Sequence, residues 1–323
     1  MNRIAQIALL LLLAAFLFAP FLVNPGLVFI AGFALIQIVF ALSWNLLFSY
    51  AGLISFGHAA FFGVGAYISA VVLRDGHGIH FVLVILICAV AGAVAALLVA
   101  LVVLRRASGV QFAVLTLALS QLIVVLIGYS SLLGHDEGIA AIPRPVMEFG
   151  LFTLDLNRPL TNYYFVLAIC LLAVGLMWLL VKGHMGRAMQ AVRIDAERAA
   201  FIGIDVWRVR VVAFTISGAF AAVAGALLAP WGQIVTPDYV NWLQSAQPLF
   251  AALLGGAGFF WGPVVGVLGL SGINYLTRTF AGLSEVLVGA SLILVVLLAP
   301  QGVLGAVRQF ARRRGGGNPG GRP

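Results

Sequence analysis

Residues 4 to 73 contain no Asp, Glu, Lys or Arg. A water-soluble domain needs charged side chains at short intervals to solvate its outward face, so this stretch reads as membrane-embedded. One helical crossing of a bilayer core takes about 20 apolar residues. Apolar runs bounded by charges and turn residues recur near 4–23, 27–48, 54–73, 81–104, 111–133, 161–181, 209–231, 243–258, 262–280 and 284–299. The composition, 63% hydrophobic and 9% charged, is far from the roughly 45–50% apolar content of an ordinary soluble domain. The expected fold is an all-α integral membrane protein of about ten transmembrane helices. It forms one membrane domain over 1–311, followed by a Gly-rich basic tail, 312–323, expected to be disordered. The first run lacks a small-x-small cleavage site and is read as a retained helix rather than a signal peptide.

Charge placement orients the spans. With the N-terminus in the cytoplasm, Arg74, Arg144, Arg158 and Arg278 fall outside and the other fourteen of the eighteen basic residues inside, as the positive-inside rule requires. Both termini are then cytoplasmic. A re-entrant span 243–258, favoured by Gly255, Gly256 and Gly258, would carry the Arg-rich tail outside, so a full crossing is preferred. Pro20, Pro230, Pro248, Pro263 and Pro300 are expected near span ends, where a missing amide costs a helix least. The net charge of +8 is topological and implies no nucleic-acid partner, because no basic stripe interleaved with aromatics stands on a soluble segment. Cys88 and Cys170 lie mid-span and read as small packed side chains.

Two extramembrane segments are long enough to serve a role beyond connection, an outside loop, 134–160, and a cytoplasmic loop, 182–208. In the latter, span six is expected to continue as helix through Arg193. Asp195 then caps a short helix ending at Gly203, and Asp205 caps span seven. The short helix presents Phe201 and Ile202 beside Glu197 and Arg198. That surface suits a groove in a partner protein, and equally an amphipathic helix resting on lipid headgroups. Small residues at four-residue spacing, Ser55, Ala59, Gly63 and Ser217, Ala221, Gly225, Ala229, read as close-packing stripes. His58, the only His within a span, reads as a neutral group bonded to backbone or Ser55 rather than a proton relay. No paired carboxylates, metal set or nucleophile with its base is visible, so no enzymatic reading follows. Lys182 is the only lysine and no Gly-x-x-x-x-Gly precedes it; without a P-loop, ATP hydrolysis must come from another subunit and no cofactor is expected on this chain.

The segment SYAGLISFGHAAFFGVGAYISA, Ser49 to Ala70, closely resembles the Gly-His-Ala-Ala region of LivM-type permeases of branched-chain amino-acid importers. GHDEGIAAIPRP from Gly134, LLGGAGFFWGPVVG from Leu253 and LAPQGVLG from Leu298 are similar to that family's motifs, in the same order. Glu197, Ala199, Ala200 and Gly203 match the loose Glu-Ala-Ala…Gly signature of its cytoplasmic coupling loop. The chain departs in GIAAI, 138–142, where the family often has a second Gly, and at Gln301, where a basic residue is frequent. The resemblance implies a permease subunit of an ABC importer in the inner membrane, for branched-chain amino acids. It implies a second, LivH-type permease, two cytoplasmic ATPases, a periplasmic solute-binding protein and membrane lipid as partners. Asp195, Glu197, Arg198, Ala199, Ala200, Phe201 and Gly203 would couple to the ATPase. Because no charge lies mid-span, a zwitterion would meet polar groups such as Gln37, Asn45, His58, Gln121 and Asn274. Urea, short amides or aromatic acids are alternative cargoes. An ion-driven carrier and a non-transporting scaffold are the rival classes.

Overall fold

The computed structural model describes residues 3–76, 78–107, 109–148, 153–277, 283–298, 301–306 and 309. The tail 312–323, Arg278 and Pro300 lie outside the described residues.

Helices stand at each apolar run. They are α1 Arg3–Leu22, α2 Pro25–Asn45, α3 His58–Arg74, α4 Phe81–Val103, α5 Val110–Gly128, α6 Pro159–Lys182, α7 His184–Ile194, α8 Ala196–Phe201, α9 Val206–Gly232, α10 Trp242–Gly255, α11 Gly262–Thr277 and α12 Leu283–Leu298. Among the described residues, five helices are long and apolar enough to cross a bilayer unaided. These are α2 with its extension to Ala51, α4, α5, α6 and α9. At about 1.5 Å per residue, the 14 residues of α10 reach about 21 Å, short of a hydrocarbon core of about 30 Å. The family of helices is capped on one side by two small sheets: β1 Ile139–Ala140 pairs antiparallel with β4 Ile234–Val235, and β2 Val146–Glu148 with β3 Thr153–Asp155. After β3, the Asn157 amide and its side-chain nitrogen both donate to Asp155 Oδ1 at 2.9 Å, holding that carboxyl below its usual range.

In α4 both faces are apolar, so size rather than polarity separates them. Leu83, Leu86, Val90, Val94, Leu98 and Val102 point outward, whereas Cys88, Gly92, Ala96 and Ala100 are buried at four-residue spacing. Without a hydrophobic drive between helices in lipid, small residues allow the close approach that dispersion needs. The buried face meets α9: an added Cβ at Gly92 would stand 2.3 Å from Ala222 Cβ, and one at Gly218 2.4 Å from Ala96 Cβ. On the other side of α9, a Cβ at Gly65 would lie 1.9 Å from the Ala222 carbonyl, and one at Gly225 1.8 Å from that of Phe62.

The stripes expected from sequence are therefore only partly the ones used. Gly225 lies in the seam, but Gly63 faces Val240 and Ser55 precedes the helix. A helix rich in small residues offers several such stripes, and the neighbour selects among them.

Two prolines interrupt helices where another helix repairs the loss. Pro20 removes the amide that would serve the Phe16 carbonyl; Tyr163 Oη of α6 donates to that carbonyl at 2.8 Å, and Tyr164 Oη to Leu17 O at 2.7 Å. Pro230 orphans the Ala226 carbonyl in the same way, and Ser69 Oγ of α3 donates to it at 3.0 Å. Pro248 sits in the middle of α10 rather than near its end.

Three further expectations change. Span two does not stop near 48 but widens into a π-helical segment, Leu46–Ala51, ended by Gly52 at φ +70°. Span three begins at His58, not 54, because residues 52–57 run without helix. Span six does not continue through Arg193. Gly183 takes extended backbone (ψ −173°), and α7 folds back so tightly that a Cβ at Gly186 would stand 1.9 Å from Val181 O.

Candidate coupling and translocation sites

The surface segment after α7 is assembled from local bonds. Asp195 Oδ1 accepts the Arg198 amide at 3.0 Å and caps α8, while Asp195 Oδ2 pairs with Arg198 Nε at 2.8 Å. The Ile204 amide closes back on Ala199 O at 3.0 Å across Gly203, whose φ of +87° lies in the left-handed region; this is the glycine helix stop. Asp205 repeats the capping device on the Arg208 amide at 3.0 Å and starts α9. Ala199 is buried, and Glu197, Arg198 and Ala200 are exposed. Phe201 and Ile202 are 89% and 76% exposed, an apolar pair that nothing covers among the described residues.

The segment is joined to the bundle through a residue that the sequence did not single out. Arg193, at the end of α7, donates from Nη1 to Ser49 O at 2.5 Å, and its stem packs on Gly52, where an added Cβ would meet Arg193 Cγ at 3.2 Å. Ser49 Oγ lies 2.5 Å from Asn45 Oδ1 and also donates to the Ala257 carbonyl in the turn between α10 and α11. One hydroxyl proton cannot serve both acceptors. Turning the Asn45 amide so that its nitrogen donates to Ser49 Oγ satisfies both bonds and the otherwise unpartnered Nδ2. A line of polar contacts thus runs from Arg193 at the end of α7, which α8 follows directly in the chain, through Ser49 to Asn45 of α2 and the α10–α11 turn.

Above this line, residues 52–57 carry irregular backbone back into the bundle, which is tolerated because protein covers it. Trp44 Nε1 donates to Ser55 O at 2.9 Å, the Phe56 amide to Thr116 Oγ1 at 3.2 Å, and a Cβ at Gly57 would stand 2.1 Å from Thr116 O. The segment delivers His58, fully buried, to Ser43 and not to Ser55 as expected. Nε2 lies 2.9 Å from Ser43 Oγ, whose proton goes to Phe40 O at 2.7 Å. That assigns the imidazole proton to Nε2 and leaves Nδ1 a bare acceptor without a partner. Phe40 stacks on the ring at 5.5 Å. Residues 52–57 leave α3 without a capping side chain of its own; Ser245 Oγ of α10 accepts the Ala59 amide at 2.8 Å in its place. Ser217 Oγ of α9 donates to Ser43 O at 2.5 Å.

Of the five polar candidates, Asn45 and His58 join this cluster. Gln37 is buried on α2 with an unpartnered Nε2, Gln121 donates to Asn241 Oδ1 at 3.3 Å, and Asn274 is exposed on α11, apart from the rest. Ser43, Ser245 and Gln244, which sequence reasoning passed over, and Ser217, which it read only as part of a packing stripe, are as buried as Gln37, Asn45 and His58. Ser and Thr in apolar helices are too common to single out until a structure gives their partners.

Apolar helices with glycine-tight seams, irregular backbone within the bundle and a capped surface loop define a multi-pass helical membrane protein of the permease class. The chain belongs to the family described as branched-chain amino acid transport system / permease component, whose model matches residues 26–296. It is similar to the high-affinity branched-chain amino acid transport system permease protein LivM of Escherichia coli (strain K12), at 29% identity over 98% of this chain and 78% of that protein. The LivM protein of Salmonella typhimurium is 28% identical over the same shares. LivH of E. coli K12 is 27% identical over 82% of this chain and 90% of that protein. No solved structure matches the chain.

Proposed function

We propose that the chain is one permease subunit of an ABC importer that moves branched-chain amino acids across the inner membrane, paired with a second, LivH-type permease. ATP is hydrolysed by two cytoplasmic ATPase subunits, and a periplasmic solute-binding protein delivers the cargo. The chain crosses ten times with both termini cytoplasmic, and its domains are the membrane body 1–311 and the basic tail 312–323. Loop 182–208 is the coupling loop and 134–160 the periplasmic loop. Contacts between elements assigned to one side support this topology. Arg193 meets Ser49 and Arg105 lies 5.3 Å over the Trp207 ring on the inner side, while Arg74 Nη1 reaches Leu132 O and β1 pairs with β4 on the outer side.

The observation that carries the coupling role is the Arg193 contact: α8 with its exposed Phe201–Ile202 pair follows directly on α7, and Arg193 at the end of α7 bonds Ser49, whose hydroxyl donates to the Ala257 carbonyl. A push on α8, with Asp195, Glu197, Arg198, Ala199, Ala200, Phe201 and Gly203 as its parts, is delivered to the inner ends of α2, α10 and α11. Cargo passes Gln37, Asn45, His58 and Gln121, with Asn274 at the margin; the chain itself needs no cofactor. The test is leucine uptake into proteoliposomes holding both permeases, the ATPases and the binding protein. Gly203→Pro should leave assembly intact and separate ATP hydrolysis from uptake. Coupled uptake at the wild-type level in that variant, or uptake under an ion gradient without ATPases, overturns the proposal.

A further inference from the structure

A groove of about 330 Å³ opens between α1, α2, α6 and α11, lined by Phe16, Ile38, Val174, Gly175, Trp178 and Val264 among other apolar groups. Its size matches ligand pockets, which run from about 300 to 1,000 Å³, yet its walls offer almost nothing polar to a zwitterionic amino acid. Gly175 keeps it open: an added Cβ there meets nothing within 4 Å.

The groove's end is where the charge lies. Lys182 Nζ sits 3.7 Å from the centroid of the Trp178 ring, one of the groove walls. Arg187 Nη1 donates to the Lys182 backbone carbonyl at 3.3 Å, with Nη2 3.0 Å from His184 Nδ1, so a second cation stands at the same end of α6. Both side chains are exposed, neither makes a salt bridge among the described residues, and no acid occurs in the sequence between Asp155 and Asp195. An apolar slot along the helices that ends in two unneutralised cations and a tryptophan at the membrane surface matches one ligand chemistry, an acyl chain with an anionic headgroup. Basic pockets between membrane helices at the cytoplasmic side take such headgroups.

We infer that this groove binds one anionic glycerophospholipid, with an acyl chain along Gly175 and Trp178 and its phosphate at Lys182 and Arg187. The site adjoins α7, so an occupied groove fixes the α6–α7 break from which the Arg193 contact is hung. Lipid binding here does not depend on which cargo the bundle carries.

Native mass spectrometry of the purified full chain, titrated with phosphatidylglycerol or phosphatidylcholine of identical acyl chains, tests it. Each basic residue near a membrane surface favours an anionic lipid by about fivefold. Lys182→Gln should therefore weaken phosphatidylglycerol about fivefold, and Lys182→Gln with Arg187→Gln about thirtyfold, leaving phosphatidylcholine unchanged. Gly175→Phe should displace both lipids. Equal wild-type affinity for the two lipids, or phosphatidylglycerol retained by Gly175→Phe at wild-type strength, overturns the inference. So does expulsion of the lipid when the second permease is added, because the groove is then a protein interface. If Gly175→Phe lowers the unfolding temperature, the double glutamine variant decides, since both its positions are exposed and its lipid preference is read within one folded sample.

Discussion

Replacing Arg193 by Ala cuts the one side-chain hydrogen bond that, among the described residues, joins the α7–α8 segment to the π-helical end of span two. The acceptor, Ser49 O, belongs to a residue that is 4% exposed, whereas the guanidinium side is open to water. A hydrogen bond to a charged group contributes about 1.5–3 kcal/mol, and an exposed donor places this one at the lower end, about 1.5 kcal/mol. If that free energy links the position of α8 to that of α2, its loss lowers the coupling between ATPase closure and the opening of the bundle by about tenfold. The assay is the ratio of leucine taken up to phosphate released in proteoliposomes containing the whole importer. Arg193→Ala should reduce the ratio about tenfold while ATP is still hydrolysed and the ATPase still copurifies, because Phe201 and Ile202 are untouched. Arg193→Lys, a single point charge without the fork, should fall between. A wild-type ratio in Arg193→Ala would refute the mechanical role of this contact, and loss of ATPase binding would show that the residue docks rather than transmits.

Phe201→Asp puts a charge on the uncovered apolar pair and should weaken ATPase association at least tenfold in pull-down titrations, with the permease still folded. Ser69→Ala leaves the Ala226 carbonyl, orphaned by Pro230, without its donor; a loss of about 1–2 kcal/mol is expected in denaturant titration in detergent. Gly65→Ala drives a methyl into the Ala222 carbonyl and should cost about 1–3 kcal/mol by the same measurement. Ala141 holds φ +55° within the GIAAI stretch, so Ala141→Gly relieves left-handed strain of about 1–2 kcal/mol, less the entropy glycine brings to the unfolded chain, and should raise stability by about 0.5–1 kcal/mol.

The helices were legible because a run without charges long enough to cross a bilayer has few other folds open to it. The surface loop was legible for a different reason: an Asp before a helix start and a Gly after its end do the same local chemistry wherever they occur. The break at Gly183 escaped notice because Gly is also tolerated within helices, and only the close return of α7 on Val181 distinguishes the two uses. The partner of His58 was misread because nothing in residues 52–57 announces that extended chain climbs back beside Ser43. Ser55 is nearer in sequence, yet its hydroxyl makes no bond among the described residues. The helix stripes were found in kind and only partly in register: Gly225 lies in the seam, whereas Gly63 faces Val240. Spacing names the candidates, and the opposing backbone chooses.

The glycine seams divide the bundle into closely locked parts. Backbone contacts at Gly65, Gly92, Gly218 and Gly225 press α3, α4 and α9 together, and the Ser69 hydroxyl that serves the Ala226 carbonyl ties any flexing of α9 to travel of α3. Gly255 against Gly262, and Gly266 against Ala251, lock α10 to α11 just as closely. Between the two blocks lies α2, packed against α9, α10 and α11, and Ser245 on the Ala59 amide ties the blocks directly. Helices interlocked backbone to backbone do not slide past one another by small steps. If the two blocks move as units, a path for cargo opens by separating them along this join, and Ser245 would exchange the Ala59 amide for another partner.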